Sequence, residues 1–221
     1  MKEIVLIFLA YLIGSIPTAV WVSRLFFNID IRDYGSGNSG ATNTFRILGK
    51  KWGFIVMLID VLKGILATSL WILLPHYSNN DMELARTNLM IGLGLIAVVG
   101  HIYPIFADFR GGKGVATLCG MIVAIEPQVA FCCIAVFGVV LFLTRFVSLS
   151  SIVASLSLPV FIFVVFNAHE YLYKIFAILV AFLVLFTHQK NIIKLFNGNE
   201  NKANIFKNRD RRKDRRKNKK V

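Results

Sequence analysis

The stretch that decides the fold is WGFIVMLIDVLKGILATSLW, residues 52–71, which carries only two ionisable side chains, Asp60 and Lys63. Its terminal residues, Trp52 and Trp71, are nineteen positions apart. At 1.5 Å per residue an α-helix would separate them by about 28 Å, close to the thickness of the hydrocarbon core of a bilayer. Tryptophan is favoured at both membrane interfaces. The stretch therefore predicts a membrane-spanning helix.

The rest of the chain has the same character. Apolar residues make up 56% of the 221 residues, charged residues 17%, and the mean hydropathy is +0.65, so there is too little polar surface for a soluble globule. Apolar segments long enough to span lie at 3–26, 52–75, 87–108, 127–144, 148–167 and 171–188, with a shorter one at 115–125. We predict an all-α integral membrane protein with seven transmembrane helices.

The distribution of Lys and Arg predicts the orientation. Connections rich in basic residues alternate with connections poor in them, and a six-span assignment would break this alternation. The basic positions in the connections predicted to be cytoplasmic are Arg32, Arg46, Lys50, Lys51, Arg110, Lys113 and Arg145, while Arg86 directly precedes the span at 87–108. The N-terminus is then outside and the C-terminus cytoplasmic, with a membrane domain at 1–200 and a basic, disordered tail at 201–221. We interpret the tail as attracted to anionic lipid rather than to nucleic acid.

A glycine-rich stretch, GSGNSGATNTFR at 35–46, follows the first span. It contains the G-x-G-x-x-G pattern of dinucleotide-binding folds, but that pattern needs a preceding strand and a βαβ unit, which this chain lacks. Two interpretations remain, a phosphate-binding loop and a plain connector. The candidate phosphate-binding residues are Ser36, Gly37, Asn38, Thr42, Asn43 and Arg46.

Three further polar stretches are predicted on the same membrane face. The first is GHIYPIFADFRGGKGVAT at 100–117, which lacks the Walker A pattern. The others are TRFVSLSS at 144–151 and HQKNIIKLFNGNE at 188–200. Their candidate binding residues are His101, Gly111, Gly112, Lys113, Gly114, Ser148, Ser151, His188 and Asn191. Two glycine-rich basic loops on one face favour phosphate binding more strongly than either loop alone.

Together with GSIP at 14–17, these stretches resemble the bacterial acyl-phosphate:glycerol-3-phosphate acyltransferase family over about residues 10–200. The resemblance implies a seven-span enzyme of the bacterial cytoplasmic membrane whose active site faces the cytoplasm. It implies transfer of a fatty acyl group from acyl-phosphate to the 1-hydroxyl of sn-glycerol 3-phosphate, giving lysophosphatidic acid and phosphate. No metal and no cofactor are implied.

The resemblance also implies residue roles. Arg46, Lys113 and His188 are expected to be catalytic, and the other candidates above to bind substrate, while Glu200 is expected to be structural. Two positions depart from the family pattern: Thr187 stands where an arginine is frequent, and Lys194 replaces a frequent arginine. A lysine cannot reproduce the bidentate fork of arginine at such a position.

The general base stays open among His188, His101 and the phosphate of the acyl donor, and we favour the substrate phosphate. An organic-anion transporter and a metal-dependent phosphotransferase are the rival functions. The first would show related halves that meet near the midplane, and the second a cluster of acids on facing helices. Acyl-chain preference, oligomeric state and the assignment of each phosphate to a loop are not determined by the sequence.

Overall fold

The computed structural model describes residues 1–167 and 170–203, and within these ranges all regular secondary structure is helical. The predicted tail lies outside the described residues from position 204 onward. The α-helices are α1 (Lys2–Gly14), α2 (Thr18–Phe27), α3 (Ala41–Ile47), α4 (Lys50–Thr68), α5 (Glu83–Ile102), α6 (Val115–Ile125), α7 (Pro127–Thr144), α8 (Val147–Val160), α9 (Tyr171–Thr187) and α10 (Gln189–Phe196).

The helices confirm the all-α membrane class. Among the residues that the structure describes, four segments are long and apolar enough to cross a bilayer, namely Lys50–Leu73, Asn80–Ala107, Pro127–Thr144 and Val147–Val165. Two bent pairs, α1 with α2 and α9 with α10, raise the number to as many as six if each pair is one span. The apolar helix α6 is shorter, so the prediction of seven spans stays a prediction.

Glycines let α4 and α6 approach closely. A Cβ on Gly64 of α4 would overlap the carbonyl of Thr117, and a Cβ on Gly120 of α6 would overlap the carbonyl of Val61. Small residues of this kind permit backbone-to-backbone contact between membrane helices. The contact holds α6, and with it the glycine-rich loop that precedes α6, against the central helix α4.

The first apolar segment was predicted as one span at 3–26, but it is bent by 41° between α1 and α2. Pro17 lies at the break, where its ring and its missing N–H disfavour a continuous helix. The carbonyl of Ile16 accepts the Thr18 amide at 3.0 Å and a hydrogen bond from Lys63 Nζ at 2.9 Å. The facing helix α4 therefore stabilises the bend.

A second bend, of 63°, lies at His188 between α9 and α10. It turns the chain across the end of the bundle, so that the residues after α10 return toward the turn before α8. There the Ala203 amide donates to the carbonyl of Arg145 at 2.7 Å. The last polar stretch consequently lies at the same end of the bundle as the serine-rich turn.

Candidate active site

The first glycine-rich loop is shaped by Asn43 of α3, which is only 1% exposed. Its Nδ2 donates to the carbonyls of Ile31 and Tyr34 at 3.1 and 2.9 Å. Its Oδ1 accepts the Ser36 amide at 3.0 Å. With these three contacts the Asn43 amide organises the loop, and a direct contact of Asn43 with substrate stays a prediction.

Arg32 joins the first loop to the second. Its guanidinium bonds the Asp30 carboxylate at 2.8 Å and the carbonyl of Ala107 at 2.8 Å. The hydrogen bonds from Arg32 hold the pKa of Asp30 well below its usual range, against the opposing effect of partial burial. The Ser39 hydroxyl adds a long contact of 3.4 Å to the carbonyl of Arg110. The link that Arg32 forms between the two loops was not predicted from the sequence, although the opposite charges of Asp30 and Arg32 close to the glycines were a signal for it.

The second loop packs directly on His101. The amides of Gly111 and Gly112 donate to the carbonyls of Ile102 and His101 at 3.0 and 3.1 Å. A Cβ on Gly112 would overlap the imidazole ring of His101, and Gly114 has a φ of +81°. The loop therefore depends on glycine at both positions, in one case for space and in the other for backbone conformation.

Backbone amides of both loops are already engaged. Besides Ser36, Gly111 and Gly112, the Gly37 amide donates to the carbonyl of Tyr34 at 3.1 Å. In this arrangement these four amides bond the protein itself. These four amides are therefore not available to a substrate anion in this arrangement, and the positive charge near the loops comes from side chains.

Those side chains form a cluster built from three of the predicted stretches. Lys113 Nζ donates to Asn191 Oδ1 at 2.6 Å, and Asn191 Nδ2 contacts both Glu200 oxygens at 3.0 and 3.1 Å. Arg46 lies 4.0 Å from Glu200 and 3.5 Å from the carbonyl of Asn201. We call Arg46, Lys113, Asn191 and Glu200 the charged cluster. Three of its members were predicted together, and Glu200 was expected only as a structural residue.

The charged cluster carries an excess of positive charge. Burial lowers the pKa of Lys113 to about 8; Glu200 opposes the shift, and repulsion from Arg46 and Lys194 adds to it. The cations therefore outnumber the carboxylate in this neighbourhood. A bound phosphate would offset the repulsion between Arg46 and Lys113. The charged cluster therefore favours an anion.

His188 lies one helical turn before Asn191 and is 2% exposed. Its Nδ1 is 2.8 Å from the carbonyl oxygen of Val184. Because a carbonyl can only accept, Nδ1 carries a proton, and in the neutral ring Nε2 is the basic nitrogen. This arrangement fits a hydrogen-bonding or base role, and the choice of general base remains open.

The two candidate binding residues of the serine-rich turn, Ser148 and Ser151, differ in their hydrogen-bond partners. The Ser151 hydroxyl donates to the carbonyl of Val147 at 2.9 Å, whereas the buried Ser148 Oγ has no partner among the residues the structure describes. Asn38 and Thr42 lie half-buried around the start of α3. Substrate contacts by these four residues stay predictions.

Within 1–167 and 170–203 there is no group of three or more His, Cys, Asp or Glu side chains placed to hold a metal ion. The expectation that no metal takes part stays a prediction.

Comparison with known proteins gives consistent matches. The family model described as glycerol-3-phosphate acyltransferase matches residues 4–198. The glycerol-3-phosphate acyltransferase of Staphylococcus carnosus is 40% identical, over 91% of this chain and 98% of the relative. Glycerol-3-phosphate acyltransferase 2 of Bacillus cereus is 45% identical, over 91% of this chain and 96% of the relative.

Two solved structures share the fold. One is a crystal structure of PlsY (YgiH), an integral membrane glycerol 3-phosphate acyltransferase, in its glycerol 3-phosphate form. It has a TM-score of 0.82 and 35% identity, covering 92% of this chain and 96% of that one. The lysophosphatidic acid form has a TM-score of 0.78 and 34% identity, covering 91% and 95%.

Proposed function

The chain belongs to the glycerol-3-phosphate acyltransferase family, and on that premise we propose its full reaction. A fatty acyl group passes from acyl-phosphate to the 1-hydroxyl of sn-glycerol 3-phosphate, giving lysophosphatidic acid and inorganic phosphate. Structures of a relative with glycerol 3-phosphate and with lysophosphatidic acid support the acceptor and the product. The family makes the chain an acyltransferase rather than a transporter.

The observation that carries the proposal is the charged cluster. Both substrates are phosphate esters or anhydrides, so two anions must be held together against their mutual repulsion. Arg46 offers a planar fork and Lys113 an ammonium, and the two arrive from separate loops at one carboxylate–amide centre. Such a site lowers the barrier by proximity and by electrostatic stabilisation of the developing charge.

The chemistry needs no covalent enzyme intermediate. The 1-hydroxyl oxygen of glycerol 3-phosphate attacks the acyl carbonyl carbon, and the carbon–oxygen bond to phosphate breaks. The hydroxyl proton passes to a phosphate oxygen of the donor, which leaves as inorganic phosphate. Arg46 and Lys113 balance the charge on that leaving group. His188 Nε2 is the alternative proton acceptor.

We also propose the topology. If each bent helix pair is one span and α6 also crosses, the chain crosses seven times, with the N-terminus outside and the charged cluster at the cytoplasmic face. The alternation of basic connections supports this orientation. The protein is then a multi-pass protein of the bacterial cytoplasmic membrane whose acyl chain lies between helices while the phosphates stay at the interface.

The test is phosphate release by the purified protein from palmitoyl phosphate, with and without glycerol 3-phosphate. We expect release to depend on the acceptor and to match lysophosphatidic acid formation one to one. Arg46→Ala and Lys113→Ala should be folded but nearly inactive. Release that ignores the acceptor and forms no lipid contradicts the proposal, and counterflow of glycerol 3-phosphate without donor would indicate transport.

A further inference from the structure

A buried ion pair between Asp60 and Lys63 lies within α4, separate from the charged cluster. Lys63 Nζ is 2.9 Å from Asp60 Oδ1, and the two side chains are 3% and 2% exposed. Removing two charges from water is expensive, and buried pairs are not retained for stability alone when apolar residues would pack as well. The contacts made by each partner indicate what this pair does.

One set of contacts secures the bend of the first span. Lys63 Nζ donates to the carbonyl of Ile16 at 2.9 Å, and the Thr18 hydroxyl donates to Asp60 Oδ1 at 3.0 Å. Ile16 and Thr18 are the residues on either side of Pro17. The ion pair therefore holds both sides of the break between α1 and α2.

The other set of contacts connects the ion pair, through His101, to the second glycine-rich loop. Asp60 Oδ1 is 3.7 Å from His101 Nδ1, and Thr117 Oγ1 is 3.2 Å from the same nitrogen. The carbonyl of His101 accepts the Gly112 amide at 3.1 Å, and the imidazole fills the space that a Cβ on Gly112 would need. The residue after Gly112 is Lys113.

We propose that Asp60 is a positioning residue for the acyl transfer. With Lys63 it holds the imidazole of His101 in place. That imidazole packs against Gly112, and this packing positions the Lys113 ammonium to donate to Asn191 in the charged cluster. Asp60 itself touches no substrate. The expected change in kcat/KM rests on the proposed function, whereas the change in hydrogen exchange of the second loop can be measured without any substrate.

The experiment pairs hydrogen exchange with kinetics in the full-length protein in nanodiscs. Asp60→Asn keeps an acceptor for Thr18 but leaves Lys63 without a counter-charge. The double variant Asp60→Asn/Lys63→Met removes that unpaired charge but also the hydrogen bond from Lys63 to Ile16, so it should recover part of the thermal stability that Asp60→Asn loses. Tyr77→Phe is the control, because it removes a partly buried hydrogen bond from Tyr77 to Glu3 at 2.8 Å, away from the loop.

We expect both Asp60 variants to lose about tenfold to a hundredfold in kcat/KM, as displaced catalytic groups do. Exchange should accelerate at the amides of Gly111 and Gly112, read in peptides covering 108–116. Peptides covering 31–37 should be unchanged, and Tyr77→Phe should change neither loop.

Two results would overturn the proposal. One is a double variant with wild-type turnover and wild-type exchange at 108–116. The other is equal acceleration in both loops together with a lowered unfolding temperature in both variants, since that describes general destabilisation. If no protein, wild type included, makes lysophosphatidic acid, the proposed function fails while the exchange data still decide whether Asp60 positions the loop.

Discussion

Deprotonation of Lys113 should lower kcat/KM at alkaline pH. We call this decrease the alkaline limb, and an ordinary lysine would not produce it below about pH 9. The pKa of Lys113 is lowered to about 8, so the neutral amine predominates above that pH. About nine-tenths of the side chain is charged at pH 7 and about one-tenth at pH 9, whereas an unperturbed lysine would stay more than about nine-tenths charged at pH 9. If the ammonium binds phosphate, kcat/KM should fall about tenfold between these pH values.

The assay is the initial rate of lysophosphatidic acid formation at subsaturating substrate from pH 6 to 10, corrected for spontaneous hydrolysis of the donor. The second ionisation of a phosphate monoester has its midpoint near pH 6 and is about nine-tenths complete at pH 7, so the acceptor changes charge little across the limb. Bound phosphate should raise the pKa of Lys113, so the limb in kcat should lie at higher pH than the limb in kcat/KM. Lys113→Arg, which stays protonated, should be slower but without the limb.

A rate that stays level to pH 9.5 in the wild type would refute this reasoning. So would an unchanged limb in Lys113→Arg, because the titrating group would then be another residue.

Three other substitutions test the site. Gly112→Ala should lower kcat/KM at least tenfold, because the added methyl group overlaps the imidazole beneath it, at a strain of about 1–3 kcal/mol; Gly138→Ala, with open space around its Cβ position, should be neutral in the same assay. Glu200→Gln should move the alkaline limb of Lys113 to lower pH, since Glu200 raises the pKa of that lysine, and an unmoved limb would contradict the contact. His188→Ala should slow turnover by a similar factor at every pH if the residue positions substrate. Loss of a step in the pH–rate profile that the wild type shows would instead identify His188 as the base.

Much of the charged cluster could be predicted from the sequence. Span length and the alternation of basic connections bring the polar stretches to one membrane face, and this grouped Arg46, Lys113 and Asn191 before any coordinates. These rules state which loops share a face, but they do not state which atoms meet. Glu200 illustrates the gap, because a glutamate nine residues after Asn191 has no periodic signal that would place it against that amide.

The glycine-rich loops show a second limit of prediction from the sequence. Gly37, Gly111 and Gly112 were expected to bind substrate, a prediction that stands untested, yet their amides bond the protein's own carbonyls. Asn43 was also expected at the phosphate, a prediction that is equally untested, and its amide contacts three backbone groups of its own loop. Composition identifies a tight polar loop, but the same donors serve an anion or the backbone, and only folding decides between them.

The sequence by itself determined the helical membrane class, the family, and the presence of paired charges within an apolar span, because hydropathy, motif order and burial cost are local properties of the chain. Only the tertiary structure decided that Asp60 and Lys63 face the break at Pro17 on one side and His101 on the other. Those contacts join residues more than forty positions apart along the chain. Helix rotation and packing distance set them, and neither is encoded in any single stretch.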